Sequence, residues 1–440
     1  MDRSPFQSHY IPNTPGTQRE LLGSLGVETV EELFIDIPQE FRDPPMELPS
    51  PLSELELRRE LEELSQKNRP LRGLVSFLGA GAYHHFSPSI VGHIINRGEF
   101  LTSYTPYQAE ASQGTLQATY EFQTMVCNLL GMEVANAGMY DGATSLAEAV
   151  LMACRVTGRK KVSLLNTLSP TYREVVETYT RSQGIEVSLM EEGLVSEETA
   201  CLIVQHPNFY GYLEDLAGLE KVAHGAGALL VVATDPLTSG LFRPPGEYGA
   251  DIVTAEGQAL GIPLSFGGPY VGLFTARPKY LRQMPGRIVG RTVDNQGRPG
   301  YALTLQTREQ HIRRERATSN ICTTQSLLAL AATVYMAALG KEGIRRVAEL
   351  CYHKAHYAAS LIAQIPGFTV PGEGTFFKEF AVQCPLAPAE LNRRLLERGI
   401  LGGLDISSLM PNGWLICVTE MNTRDEIEEL ATILSEVGQP

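Results

Sequence analysis

Between about residue 70 and residue 320 the chain alternates short apolar runs with amphipathic stretches. Val162-Ser163-Leu164-Leu165, Ile185 to Leu189, Cys201 to Val204, Leu229 to Val232, Asp251 to Thr254 and Tyr270 to Phe274 each have the length and composition of a strand. Tyr172 to Tyr179 and Gly218 to Ala223 carry helical spacing between some of them. Near-continuous apolar runs suit strands covered on both faces, and their alternation with helices predicts an α/β architecture built on a mostly parallel sheet.

The flanks read differently. Residues 1–65 form a predicted N-terminal arm with short helices at Thr17 to Leu22 and Val30 to Phe34. A proline-rich extended piece follows from Ile37 to Pro51, then a helix over Glu54 to Leu64 that Ser53 and Glu56 start as a capping box. After 324 a helix over Gln325 to Leu339 stops at Gly340 and a second runs from Lys341 to Ile365. Strand, helix, strand and helix come next, at Phe376 to Val382, Pro388 to Arg398, Trp414 to Thr419 and Arg424 to Val437. The expected division is an arm (1–65), a large α/β domain (66–324) and a small α+β domain (325–440).

The net charge, 36 − 50 = −14, argues against a nucleic-acid partner, since phosphate binding needs a basic face. The seven cysteines are scattered, with no C-x-x-C, and read as free thiols in a reducing compartment. Met1 to Pro5 lacks a signal-peptide pattern, and no run approaches about 18 uninterrupted apolar residues, so a soluble cytoplasmic protein without a membrane partner is expected.

In a parallel sheet ligands gather at the carboxyl ends of the strands. Those ends carry Asn166, His206-Pro207-Asn208, Asp235 and Glu256. Asp235 closes one strand, Glu256-Gly257-Gln258 follows the next, and a Gly267-Gly268 turn comes after. Many pyridoxal-phosphate (PLP) enzymes use this order: the aspartate pairs with the pyridinium nitrogen and a lysine after the next strand holds the aldehyde. Here Gln258 stands in the lysine slot, and an amide nitrogen has no basic lone pair to form that bond. The turn Met139 to Ala149 could seat a phosphate at a helix N-terminus, or could be a helix capped by Asp141 or Thr144. Asp235 alone could be a turn cap and His206 a structural residue.

Two polar segments remain. Ser103 to Gly114 sets Tyr104, Tyr107, Gln108, Glu110 and Gln113 on a proline-stiffened loop, which suits a site wall or an ordinary surface loop. Thr307 to Asn320 concentrates arginines and His311, suiting an anion site or a solvated face. Lys279, beyond the glycine turn, is a poor replacement for the missing lysine.

Taken together, Ser76 to Tyr83, Tyr104 to Gln108, Ser112 to Gln117, Met139 to Thr144, Leu260 to Tyr270, Met284 to Arg287 and Arg308 to Thr323 resemble the glycine dehydrogenase (decarboxylating) family, the P-protein of the glycine cleavage system. The resemblance is to the N-terminal half of that protein, made as its own subunit. It implies a type I PLP-transferase-like fold. It also implies a partner subunit bearing PLP, none being held covalently by this chain, no metal, and assembly as a pair of heterodimers. The reaction implied is decarboxylation of glycine with transfer of the aminomethyl group to the lipoylated H-protein. On this reading Tyr104, Tyr107, Gln108, Glu110, Gln113, Arg313, Arg314, Thr318, Ser319 and Asn320 face the partner's site. Asp141, Thr144, His206, Asp235 and Gln258 are then relics of a degenerate pocket. The alternatives are a scaffold or regulatory pseudo-enzyme subunit, and a self-sufficient PLP enzyme using Lys279.

Overall fold

A computed structural model describes residues 14–42, 44–190, 195–372 and 374–437; the Met1 to Pro5 reading lies outside them. The chain divides into two compact units, meeting at Arg69 and Pro70.

In the first unit, helix α1 (Pro15–Leu25) starts at Thr14, whose hydroxyl accepts from Thr17 N. Helix α2 (Glu54–Ser65) carries the expected capping box, Ser53 and Glu56 each serving the other's backbone N–H. Among its described residues no side chain of this unit is buried.

The second unit is organised by a seven-stranded sheet. Its strands are β1 (Val134–Ala135), β2 (Lys161–Leu164), β3 (Glu186–Leu189), β4 (Thr199–His206), β5 (Leu229–Thr234), β6 (Ile252–Glu256) and β7 (Gly272–Ala276). The order across the sheet is β1-β7-β6-β5-β4-β2-β3, and only β7 runs antiparallel to its neighbours. The six predicted strands are present, within a few residues of their expected bounds. The two-residue β1 went unread because it is too short to carry periodicity.

The apolar runs divide between two cores, as a two-sided sheet requires. Leu202, Val204, Leu230 and Val232 pack with Phe122 and Val126 of α3 (Gln113–Leu130) and with Tyr335. The intervening Cys201, Ile203, Leu229 and Val231 pack with Leu146 and Val150 of α4 (Gly142–Thr157) and Val176 of α5 (Pro170–Thr180). Each such side chain, fully buried, contributes about 1.5–3 kcal/mol, which is what holds the strand ends in register for a site. A long helix, α6 (Ser326–Ile362), leaves helical geometry at Gly340 (φ 59°), where the sequence places a stop. Its first part joins the sheet core. From Ala355 it packs with Phe380, Trp414 and Leu430, over a three-stranded antiparallel sheet that includes β8 (Glu379–Gln383) and β9 (Gly413–Cys417). All seven cysteines are free thiols, and Cys322 is the exposed one.

Candidate active site

β5 and β6 are parallel neighbours, so Asp235 and Glu256 emerge side by side at the carboxyl edge of the sheet. They line a cavity of about 50 Å³ together with Ala80, Tyr83, Lys378 and Glu379. Lys378 sits just before β8 and is 2% exposed. Its Nζ lies 2.6 Å from Asp235 Oδ2, donates to His85 Nε2 at 2.9 Å, and rests 3.5 Å from the centre of the Tyr83 ring. Burial opposes the charge on Lys378 most strongly, but the Asp235 carboxylate together with Cys417 and Cys351 leaves the amine's pKa raised. Burial and the Lys378 charge lower the pKa of His85. The neutral ring accepts from Lys378 at Nε2 and donates from Nδ1 to Glu420 Oε2 at 2.7 Å.

Glu379 points beside this chain of contacts. Its Oε1 accepts from Ala80 N at 2.6 Å and its Oε2 from the Tyr83 hydroxyl at 2.8 Å. Burial lifts the Glu379 carboxyl above its ordinary range and pushes the Tyr83 phenol well above its own.

Helix α4 begins at the same edge. Asp141 Oδ1 accepts from Thr144 N at 2.7 Å and from the Thr144 hydroxyl at 2.8 Å, the capping arrangement that competed with phosphate binding in the sequence. The first helical N–H, of Gly142, donates to Glu256 Oε2 at 2.8 Å, and Gln258 N donates to Glu256 Oε1 at 3.0 Å. A helix N-terminus attracts an anion, and here the chain's own Glu256 carboxyl occupies that position. The seat is packed shut: a Cβ on Gly142 would meet the Tyr172 hydroxyl at 2.5 Å and Glu256 Cβ at 2.9 Å. Desolvation pushes the Glu256 carboxyl up to about 8, against the backbone N–H groups of Gly142, Gln258 and Gly257 that favour its charge.

A pH prediction follows from that value. A carboxyl whose folded pKa lies above its unfolded one holds its proton more tightly when folded. Its stabilising contribution is whole below about pH 4.5 and is lost as pH rises towards 8, by at most about 1.4 kcal/mol per pH unit. Glu256→Gln should flatten the stability–pH profile between pH 5 and 8. Urea denaturation at several pH values checks this, and an unchanged slope refutes it.

Gln258 is 1% exposed. Its Oε1 accepts from Tyr83 N at 2.8 Å, and its Nε2 donates to Tyr83 O at 3.0 Å and Ile262 O at 2.8 Å. The residue in the lysine slot is thus a clamp that fixes the loop ending at Tyr83 over the cavity.

Of the five residues read as a degenerate pocket, only Asp235 lines the cavity. Gln258 stands behind Tyr83, while Asp141 and Thr144 satisfy each other. His206 is a correction. Side chains alternate along β4, so Gln205 faces the cavity and the His206 ring lies off it. There its Nδ1 accepts from Glu214 N at 3.1 Å, and burial pulls its pKa to about 4. Lys279 is a second correction. It follows the antiparallel β7, which returns it to the amino edge of the sheet, about 15–20 Å of strand away from Asp235. It is 64% exposed there and pairs with Asp251 at 3.4 Å.

The two polar segments meet. Tyr107 packs edge-on against His311 at 5.3 Å and accepts from Arg287 Nη2 at 3.3 Å. Tyr104 is 80% exposed beside them. Gln113 is a tether instead, bonded to Tyr301 N and O at 2.9 Å each. Arg313 donates to Thr307 O at 3.0 Å, Arg314 turns the chain at φ 54°, Thr318 N donates to Arg308 O, and the Ser319 hydroxyl accepts from Ile321 N. Gln108, Glu110 and Asn320 are exposed. Sequence reading missed Tyr83, His85, Arg287, Lys378 and Glu379. Lys378-Glu379, a charged pair inside the apolar run Phe376 to Val382, was the signal available.

The model of the glycine cleavage system P-protein family matches residues 8–434. A probable glycine dehydrogenase (decarboxylating) subunit 1 of Thermomicrobium roseum is 53% identical, over 97% of this chain and 99% of that one. Its counterpart in Moorella thermoacetica is 49% identical, over 97% and 98%. A crystal structure of glycine decarboxylase (P-protein) of the glycine cleavage system, in inhibitor-bound form, is similar with TM-score 0.92 at 44% identity, over 98% and 100%. A sphingosine-1-phosphate lyase of Burkholderia pseudomallei, 17% identical with TM-score 0.64 over 90% and 93%, shares the fold alone. The fold is that of the type I PLP-dependent enzymes, and the chain belongs to the glycine cleavage system P-protein family.

Proposed function

We propose that this chain is the subunit of a glycine decarboxylase that holds no PLP and walls the site of a lysine-bearing partner subunit. One observation carries the reading: every seat the cofactor needs is filled by the chain itself. Asp235 is paired with the Lys378 ammonium instead of a pyridinium. Glu256 holds the helix N-terminus where a phosphate would bind, and Gln258 fills the lysine slot with its amide bonded on both ends. The residues present therefore do not fit PLP. The loops of Tyr104, Tyr107 and His311 offer an exposed aromatic and cationic surface at the same edge of the sheet, suited to face a partner. With that partner, the assembly decarboxylates glycine in the cytoplasm and passes the aminomethyl group to the lipoyl arm of the H-protein. A symmetric pair of heterodimers is the default assembly.

The test is purification of the chain alone and with a lysine-bearing subunit. The lone chain is expected to show no PLP absorbance band and the pair to decarboxylate glycine; a band in the lone chain overturns the reading. Gln258→Lys should still show no imine band, because Glu256 and Lys378 keep the remaining seats. If Tyr107→Ala left kcat and KM of the pair unchanged, the scaffold reading would replace this one.

A further inference from the structure

We propose that Arg287, with the groove it lines, is an oxyanion subsite. Arg287 is 5% exposed and follows the Pro285-Gly286 turn. Its carbonyl accepts from Ala137 N at 2.8 Å, which anchors it just beyond β1 at the carboxyl edge of the sheet. Its guanidinium is poorly satisfied for so buried a group. Nε has no hydrogen-bond partner and stands 3.5 Å from Glu309 Oε2, while Glu309 Oε1 is itself buried without one. Nη2 donates to the Tyr107 hydroxyl at 3.3 Å, the long end of the range, and the Tyr107 ring centre lies 5.5 Å away. Buried donors of this strength are normally met, and one left open asks what else meets it.

The groove supplies an answer. It has a volume of about 70 Å³, and Thr105, Thr323, Thr324 and Ser326 line it beside Arg287, together with apolar Pro106, Val289 and Leu303. A planar fork of N–H donors with threonine and serine residues nearby matches a carboxylate or a phosphate and offers little to a cation. Glu309 Oε2, 3.5 Å from Arg287 Nε and 3.5 Å from His311 Nδ1, joins the two side chains in one polar cluster. Resting on the two-subunit reading above, two oxyanions are at hand: the carboxylate of glycine and the phosphate of the partner's cofactor.

Arg287→Gln separates them in the assembled pair. If the groove takes the carboxylate, KM for glycine rises about tenfold or more, equivalent to about 1.4 kcal/mol, and PLP retention in an absorbance titration is unchanged. If it takes the phosphate, PLP binds about tenfold or more weakly while KM at saturating cofactor holds. Arg287→Lys, which keeps the charge and loses the fork, should fall between. A Gln variant that assembles and keeps both quantities within twofold overturns the proposal. Should that variant fail to assemble, Thr323→Val carries the same two readouts, with a rise in either supporting the subsite and no change in both refuting it. Should the wild-type pair prove inactive, the two-subunit reading fails and the subsite is judged on the lone chain with inorganic phosphate and glycine as probes. Binding there that Arg287→Gln abolishes supports it, and no binding of either probe refutes it.

Discussion

Replacing Lys378 with Met should cost the chain about 3–5 kcal/mol of stability, because it strands a buried carboxylate. The two charges stand 2.6 Å apart at 2% and 11% side-chain exposure. The other Asp235 oxygen is already bonded to Leu237 N at 3.0 Å. Met keeps the apolar stem in contact with the Tyr83 ring, so the loss isolates the charge rather than the packing. The double variant Asp235→Asn with Lys378→Met should recover most of it, since removing both charges leaves none uncompensated. Urea denaturation of the two single variants and the double variant gives the coupling directly. A Lys378→Met chain less than about 1 kcal/mol below wild type would mean that the pair is solvated, and the argument for a self-filled pocket would lose its main support.

Gln258→Leu is expected to cost about 3 kcal/mol or more. Leu fills nearly the same volume, so the cavity contribution is small. The loss comes from three backbone groups that the Gln amide satisfies: Tyr83 N, Tyr83 O and Ile262 O. Each orphaned, buried polar group costs about 1–3 kcal/mol, less than additively when neighbours relax together. Gln258→Glu separates the contributions, because the protonated carboxyl keeps the acceptor for Tyr83 N and only one of the two donors. The expected order of stability is wild type, then Glu, then Leu at a pH where that Glu is protonated. Amide hydrogen exchange at Tyr83 supplies an independent readout: faster exchange in the Leu variant at unchanged global stability would still place the clamp at that loop. Unchanged exchange together with unchanged stability would remove Gln258 from any structural role.

The framework was legible for a plain reason. Strands covered on both faces must be apolar throughout, so runs such as Leu229 to Val232 announce themselves, and the residues that end them must lie on one edge. Gly340 was readable as a stop because its left-handed backbone suits no other residue so well. Asp235, Glu256 and Gln258 were found this way. The hairpin of Ile288–Val293 and Pro299–Thr304 was not, since its polar positions look like loop. Lys378 was missed because nothing local says that a lysine before a strand of the small sheet will reach Asp235. His206 was misplaced because strand pairing decides which face a residue takes, and one position along β4 reverses it.

The amino-acid order by itself determined the layered fold, the edge on which chemistry gathers and the absence of an amine at position 258. These depend on composition and spacing within single segments. The tertiary structure alone decided that Lys378 pairs with Asp235, that Glu256 bonds the first N–H of α4, and that Arg287 meets Tyr107 and Glu309 beside a groove. Such meetings join residues far apart in the chain, and only packing brings them within the few ångströms over which charge and hydrogen bonding act.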